Sequence, residues 1–155
     1  VFRRLTVREN LDIALHQSLL SKPLARMRKE ELIDEFNLSK FVDRFGYQLS
    51  GGERRRCEIA RALAVGSTGP KYLLLDEPFA GVDPMAVSDL QGLIQKLRLK
   101  GVGILITDHN VRATLAITDR SYILSDGKIL SSGASSEVAN DDLVRTNYLG
   151  EGFQL

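Results

Sequence analysis

The sequence predicts an α/β fold, in which a helical front third leads into alternating strands and helices built on a mainly parallel sheet. Three observations carry this. Helix-capping signals, each followed by apolar residues at helical spacing, recur as far as Ala64. Two apolar runs of strand length, Tyr72–Leu75 and Val102–Thr107, flank a stretch with helical periodicity. The composition, 43% apolar and 26% charged over 155 residues, is that of a globular chain long enough to bury a core.

Taken in order, Thr6-x-x-Glu9 has the spacing of a capping box, and Val7, Leu11, Ala14 and Leu15 follow on one face. This predicts a helix to about Leu20. Pro23 suits the first turn of a second helix, with Met27, Leu32, Ile33 and Phe36 turned inward. A short helix is expected over Lys40–Arg44. Ser50-x-x-Glu53 is a second capping box and opens a helix from about Gly52 to Ala64. From Lys71 the pattern becomes β/α. Strand Tyr72–Leu75 precedes a loop, after which Asp83 caps a helix with Pro84 in its first position. Val87, Leu90, Ile94 and Leu97 form that helix's apolar face, and Gly101 ends it. Strand Val102–Thr107 leads to a short helix from Val111 to about Ile117. Tyr122–Leu124 and Lys128–Leu130 form a hairpin around Asp126-Gly127, a strong two-residue turn signal. Ser136 caps a short helix, and Asp141–Tyr148 forms another. The expected division is a helical part over 1–64, a strand-and-helix part over 65–134, and a helical tail over 135–155.

The formal charge of +1 gives no support for nucleic-acid binding. The one cysteine, Cys57, rules out an internal disulfide, reads as a small packing residue, and fits a reducing, cytoplasmic setting. No apolar run approaches the length needed to span a bilayer.

Chemistry concentrates in three places. Leu49-Ser50-Gly51-Gly52-Glu53 reads as a phosphate-binding helix start: a serine cap, two glycines that free the backbone N–H groups, and a helix dipole that favours an anion. The alternative is an ordinary capped helix. Tyr72–Leu75 delivers two adjacent carboxylates, Asp76 and Glu77, at the C-terminal end of a buried parallel strand. Taken alone, such a pair also suits a plain strand-end turn. Thr107-Asp108-His109 closes the next strand. Arg54-Arg55-Arg56 reads as a solvated face, with a phosphate-steering or subunit-interface role as the alternative. His16, on the first helix, has no such context. Gly66-Ser67-Thr68-Gly69-Pro70-Lys71 is a loop rather than a phosphate cradle, because its lysine is displaced and it precedes a strand.

Together with Gly81-Val82-Asp83-Pro84, these stretches resemble, in order, the signature motif, Walker B with its following glutamate, the D-loop and the switch histidine of the ATP-binding-cassette (ABC) ATPases. The resemblance covers nearly the whole chain. It implies a partial P-loop NTPase, a helical subdomain followed by the C-terminal part of a RecA-like core. The implied substrate is ATP with Mg2+. Asp76 would hold the magnesium ion through water, Glu77 would act as general base, and His109 would sense the γ-phosphate. Leu49, Ser50, Gly51, Gly52 and Glu53 would contact ATP held by the other subunit of a homodimer, with Asp83 crossing the interface. No G-x-x-x-x-G-K-[ST] loop occurs, so the chain is expected to be the C-terminal part of a longer protein, and inactive alone.

Within the family, Phe2-Arg3-Arg4-Leu5, Gly52–Ala60, Phe79–Pro84, Thr107–Arg112 and Tyr148–Leu155 resemble the ATPase subunits of lipopolysaccharide exporters. That branch implies two transmembrane permease partners and a cytoplasmic position, peripheral on the inner membrane and touching it through those partners only. Alternatives are a branched-chain amino-acid importer ATPase, which usually carries asparagine in place of Asp83, a DNA-maintenance ABC ATPase, or a non-catalytic regulatory cassette. Missing heptads and basic surface weigh against the DNA-maintenance class, and Glu77 with His109 against the regulatory one.

Overall fold

The computed structural model describes residues 1–149. Helices α1 (Val7–His16), α2 (Lys22–Glu35) and α3 (Gly51–Leu63) come first. Strand β1 (Tyr72–Asp76), helix α4 (Pro84–Leu99), strand β2 (Gly103–Thr107) and helix α5 (Val111–Leu115) follow. Strands β3 (Arg120–Ser125) and β4 (Lys128–Ala134) and the short helices α6 (Ser135–Ala139) and α7 (Asp142–Val144) complete the order. This is the α/β arrangement the sequence predicts. Among the described residues the sheet is split in two: β1 and β2 pair parallel, while β3 and β4 form a separate antiparallel hairpin.

Local chemistry explains most boundaries. Thr6 and Ser50 both make the full capping box with Glu9 and Glu53. Helix α1 stops four residues earlier than its periodicity suggests. The buried Ser18 donates its hydroxyl to the Leu15 carbonyl, and Leu19 takes a left-handed φ of 58°, so the helical ladder cannot continue. Helix α4 ends in a Schellman arrangement: Gly101, at φ 86°, donates to the Arg98 carbonyl and Val102 to that of Leu97. Asp126 and Gly127 both have positive φ, which makes the hairpin turn type I′ and matches the strand twist.

Several expectations need correction. Met27 lies 56% exposed, because α2 is amphipathic only toward its C-terminal end, where Leu32, Ile33 and Phe36 are buried. The short helix at Lys40–Arg44 is a single 3-10 turn over Ser39–Phe41. Ser136 lies inside α6 rather than capping it; the Glu137 carboxylate accepts the Ala134 amide instead. Asp141 caps α7, which gives way after Val144 to a π-type turn over Arg145–Leu149 instead of continuing as one helix. The final stretch noted in the sequence, from Gly150 onward, lies outside the described residues.

The main core joins α1, α2, α3, β1 and α4 through Leu11, Leu32, Phe36, Cys57, Leu73 and Leu90. Cys57 is fully buried, and desolvation pushes its thiol up to about 11. A second cluster, Leu115, Ile123, Val138, Ala139 and Val144, lies under the hairpin. The strand β1 is not buried on both faces. Leu73 faces the core, whereas Leu74 is 73% exposed and Leu105 on β2 62% exposed. Alternation explains this: helices cover one face of the pair, and the other carries Tyr72, Leu74 and Leu105 outward.

Candidate functional site

The parallel register pairs Asp76 with Thr107, so both strands end level with each other. Their C-terminal ends carry the residues of interest. Thr107 donates its hydroxyl to one Asp76 oxygen, which fixes the carboxylate at the strand end and leaves its second oxygen open. The next residue, Glu77, turns out of the strand at once, at a φ of 46°. The left-handed region costs a non-glycine residue about 1–2 kcal/mol, and adjacent strand residues otherwise point to opposite faces. The turn brings both carboxylates to one end of the sheet. Its backbone is held on each side. The Glu77 amide donates to the Thr107 carbonyl at 2.7 Å, and the Glu77 carbonyl accepts from Arg55 Nη2 at 2.9 Å and from the Ala80 amide at 3.2 Å. Pro78 and Phe79 are buried behind it.

His109 follows β2 at the same end. Its Nδ1 lies 3.8 Å from Glu77 Oε1 and 3.8 Å from Asp108 Oδ1. The His109 and Glu77 side chains are 72% and 57% exposed, open to a reactant from outside. Asp108 is the opposite. Its fully buried carboxylate accepts from the Phe79 amide at 2.8 Å and the Asn110 amide at 2.7 Å. It ties the loop after β1 to the loop after β2 and so sets the separation of Glu77 and His109. The sequence reading quoted Asp108 without giving it a role. Its position one residue past an apolar strand, directly before the histidine, was the available signal.

The start of α3 is built from the cap outward. Leu49 is buried in the core and Ser50 is exposed. Glu53 receives the Ser50 amide at 2.9 Å, Ser50 Oγ receives the Glu53 amide at 3.3 Å, and Arg44 pairs with the other Glu53 oxygen. Burial acts to raise the Glu53 pKa, but the Ser50 amide and the Arg44 guanidinium outweigh it and hold the carboxyl below its ordinary value. Helix geometry leaves the first amides without intrahelical acceptors, and the capping box satisfies those of Ser50 and Glu53. The Gly51 and Gly52 amides are left without these partners; Gly51 is half-buried and Gly52 buried.

The two glycines also have a packing role, which their sequence does not show. A Cβ at Gly51 would sit 2.5 Å from the Gly81 carbonyl oxygen, and one at Gly52 would sit 2.6 Å from the Ala86 Cβ. Both missing side chains point at the Gly81–Ala86 segment of the same chain, so the glycines allow α3 to pack against the loop and first turn of α4. Asp83 in that segment is exposed, and its carboxylate caps α4 by accepting the Ala86 amide at 3.0 Å. The arginine triplet is divided. Arg54 is exposed, Arg55 bridges to Glu77, and Arg56 lies over the Phe41 ring at 5.8 Å. His16 is exposed and lies away from this end of the sheet, on α1.

No cluster of three or more His, Cys, Asp or Glu able to hold a metal occurs among the described residues. The donor set instead suits magnesium, which is commonly held by one or two carboxylates with water and substrate phosphates completing its shell. Asp76, with one anchored and one open oxygen, fits that mode. No described helix is long and apolar enough to cross a membrane.

The family described as ABC transporter matches residues 1–80. The lipopolysaccharide export system ATP-binding protein LptB of Haemophilus influenzae is 54% identical over an alignment that takes in all of this chain and 64% of that protein. LptB of Escherichia coli K12 is 50% identical, again over 100% of this chain and 64% of its own length. The chain thus spans a little under two thirds of these relatives. Among solved structures, the ADP conformation of MJ1267, an ATP-binding cassette of an ABC transporter, superposes with a TM-score of 0.77 at 30% identity, covering 97% of this chain and 65% of that one. The helical front, the parallel strand pair and the ordered motifs have one common explanation: this chain belongs to the ABC transporter family and is part of its ATP-binding domain.

Proposed function

We propose that this chain is the signature-bearing and carboxylate-bearing part of an ATP-hydrolysing ABC subunit. The single observation that carries the reading is the convergence of Asp76, Glu77 and His109 at the C-terminal end of the parallel strand pair, with His109 Nδ1 3.8 Å from Glu77 Oε1. Phosphoryl transfer to water requires an oriented nucleophile and charge stabilisation at the γ-phosphate. In this proposal Asp76 would hold Mg2+, which supplies charge neutralisation on the phosphates when bound. Glu77, exposed and without a capping partner, orients and deprotonates the attacking water. His109 places a ring nitrogen beside that carboxylate and contacts the transferred phosphoryl group. Asp108 and Thr107 keep these groups in place from behind.

The start of α3 is assigned to ATP bound by a second copy of the subunit. The Ser50 hydroxyl and the Gly51 and Gly52 amides point a positive helix end outward, which suits a phosphate. Leu49 and Glu53 shape that helix start rather than touch the nucleotide, and Asp83 lies next to it on the segment that Gly51 and Gly52 contact. The division into a helical part (1–64), a core part (65–134) and a tail (135–155) belongs to the same reading.

The transported substrate is proposed to be lipopolysaccharide, with two transmembrane permease subunits as partners and a peripheral place on the cytoplasmic face of the inner membrane. This rests on the likeness to the LptB proteins, which are named as ATP-binding proteins of a lipopolysaccharide export system. Co-purification of the protein with two permease subunits, and stimulation of ATP turnover in that complex by lipopolysaccharide, tests it. Stimulation by branched-chain amino acids instead would favour the importer alternative.

Phosphate binding also needs a cradle of backbone amides and a lysine, which no stretch of this sequence provides. We assign that loop to a further segment or chain. Calorimetric titration of the 155-residue chain with Mg-ATP should therefore show no saturable binding at micromolar nucleotide. Tight binding by this chain alone would contradict the proposed division of labour.

A further inference from the structure

We infer that Arg55 is a positioning residue for Glu77, a link that runs from the signature helix to the proposed base within one chain. This rests on the assignment of Glu77 as the base. Arg55 lies in the first half of α3, five residues after the Ser50 cap, and its guanidinium is divided between two acceptors. Nη1 donates to Glu58 Oε2 at 2.9 Å, and Nη2 donates to the Glu77 carbonyl at 2.9 Å.

The physical need for such a contact is local. Glu77 sits at a φ of 46°, a conformation that a non-glycine residue keeps only when its surroundings hold it. Among the described residues its side chain has no anchor closer than His109 Nδ1 at 3.8 Å, so the direction of the carboxylate is set by the backbone beneath it. The Thr107 carbonyl fixes the amide side of Glu77. On the carbonyl side, the only side chain that reaches it among the described contacts is Arg55, and the Ala80 amide adds a longer 3.2 Å bond from within the same loop. Arg55 is therefore the contact by which α3, a separate element, fixes that peptide. Glu58 in turn holds the guanidinium in register, since the planar fork presents separate donors to the two acceptors in a fixed geometry that the single nitrogen of an ammonium lacks. The sequence reading placed Arg55 in a charged run with a solvated face; only one of its neighbours, Arg54, behaves that way.

The test uses the full-length protein in its dimeric, ATP-hydrolysing form. Arg55→Ala should lower kcat by about 10- to 100-fold while KM for ATP stays within about twofold, the pattern of a misplaced reacting group rather than lost binding. Arg55→Lys, which keeps the charge but not the fork, should recover part of kcat. In a Glu77→Gln background, adding Arg55→Ala should change the residual rate by less than about twofold, because the group it positions is already gone. Arg55→Gln, with a donor on a shorter stem, gives the same comparison if the alanine variant unfolds. Equal loss in kcat and ATP affinity without rescue by lysine would reduce Arg55 to a structural contact and overturn the inference. So would wild-type kcat in Arg55→Ala when Glu77→Gln is inactive, and that result would leave the assignment of Glu77 standing. Normal turnover in Glu77→Gln would overturn both.

Discussion

Replacing Gly51 by alanine should destabilise the protein, whereas the same change at Gly92 should stabilise it. In the interior of a helix, alanine gains roughly 0.5–1 kcal/mol over glycine through backbone entropy and propensity. At Gly92, within α4, a new Cβ meets nothing within 4 Å, so this gain is realised in full. At Gly51 the new Cβ would lie 2.5 Å from the Gly81 carbonyl oxygen, a backbone atom that cannot rotate away. Relieving that overlap requires α3 and the Gly81–Asp83 loop to separate, and overpacking of this kind costs about 1–3 kcal/mol. Position 51 is also the first residue of its helix, where the propensity gain is smallest. The net expectation is a loss of about 1–2 kcal/mol at Gly51, or about 3–6 °C in Tm for a chain of this size. Gly92→Ala should raise Tm by about 2 °C. Thermal unfolding followed by circular dichroism compares the two variants directly. A Gly51→Ala protein as stable as the parent would refute the contact, and a parallel loss at Gly92 would show that steric packing is not the cause.

Two further outcomes follow from the same geometry. Asp108→Asn should cost about 1–3 kcal/mol, because the buried carboxylate accepts from two amides, that of buried Phe79 and that of exposed Asn110, and the neutral amide can accept from only one of them; urea unfolding measures it, and an unchanged midpoint would contradict the role given to Asp108. The Glu53 carboxyl is held below its ordinary value of 4.5, so its contribution to stability is present above that value and is lost as pH falls through the lower, folded one. Unfolding midpoints measured between about pH 6 and pH 3 should therefore decline less steeply in Glu53→Gln than in the parent, and identical pH profiles would count against the capping and Arg44 contacts.

Legibility in the sequence tracked how local the physics is. Capping boxes at Thr6 and Ser50, Asp83 with Pro84, and Asp126-Gly127 depend on neighbours within four residues, and each lies where the sequence predicts. The end of α1 at His16 was not legible, because it depends on Ser18 and Leu19 rather than on apolar spacing. Met27 and Ser136 misled for a related reason: helical spacing marks a face without stating whether another element covers it, and several caps compete within one turn. The carboxylates and the histidine were readable as ordered motifs after apolar runs. What fixes them was not, since Asp108 bridges residues 79 and 110 and Arg55 reaches across 22 positions in the chain. The reason for Gly51 and Gly52 was also hidden, because the packing that excludes a Cβ there comes from Gly81 and Ala86.

The central claim is that Glu77 activates water for ATP hydrolysis at the end of β1. The most direct measurement is phosphate release by the full-length protein with Glu77→Gln, read together with ATP binding to the same sample. Glutamine keeps the size of the side chain and leaves Asp76 untouched, so Mg-ATP affinity should stay within about threefold of the parent while turnover falls by about 10²–10⁴-fold, the range for loss of a general base. Turnover within about tenfold of the parent, with binding intact, would contradict the claim.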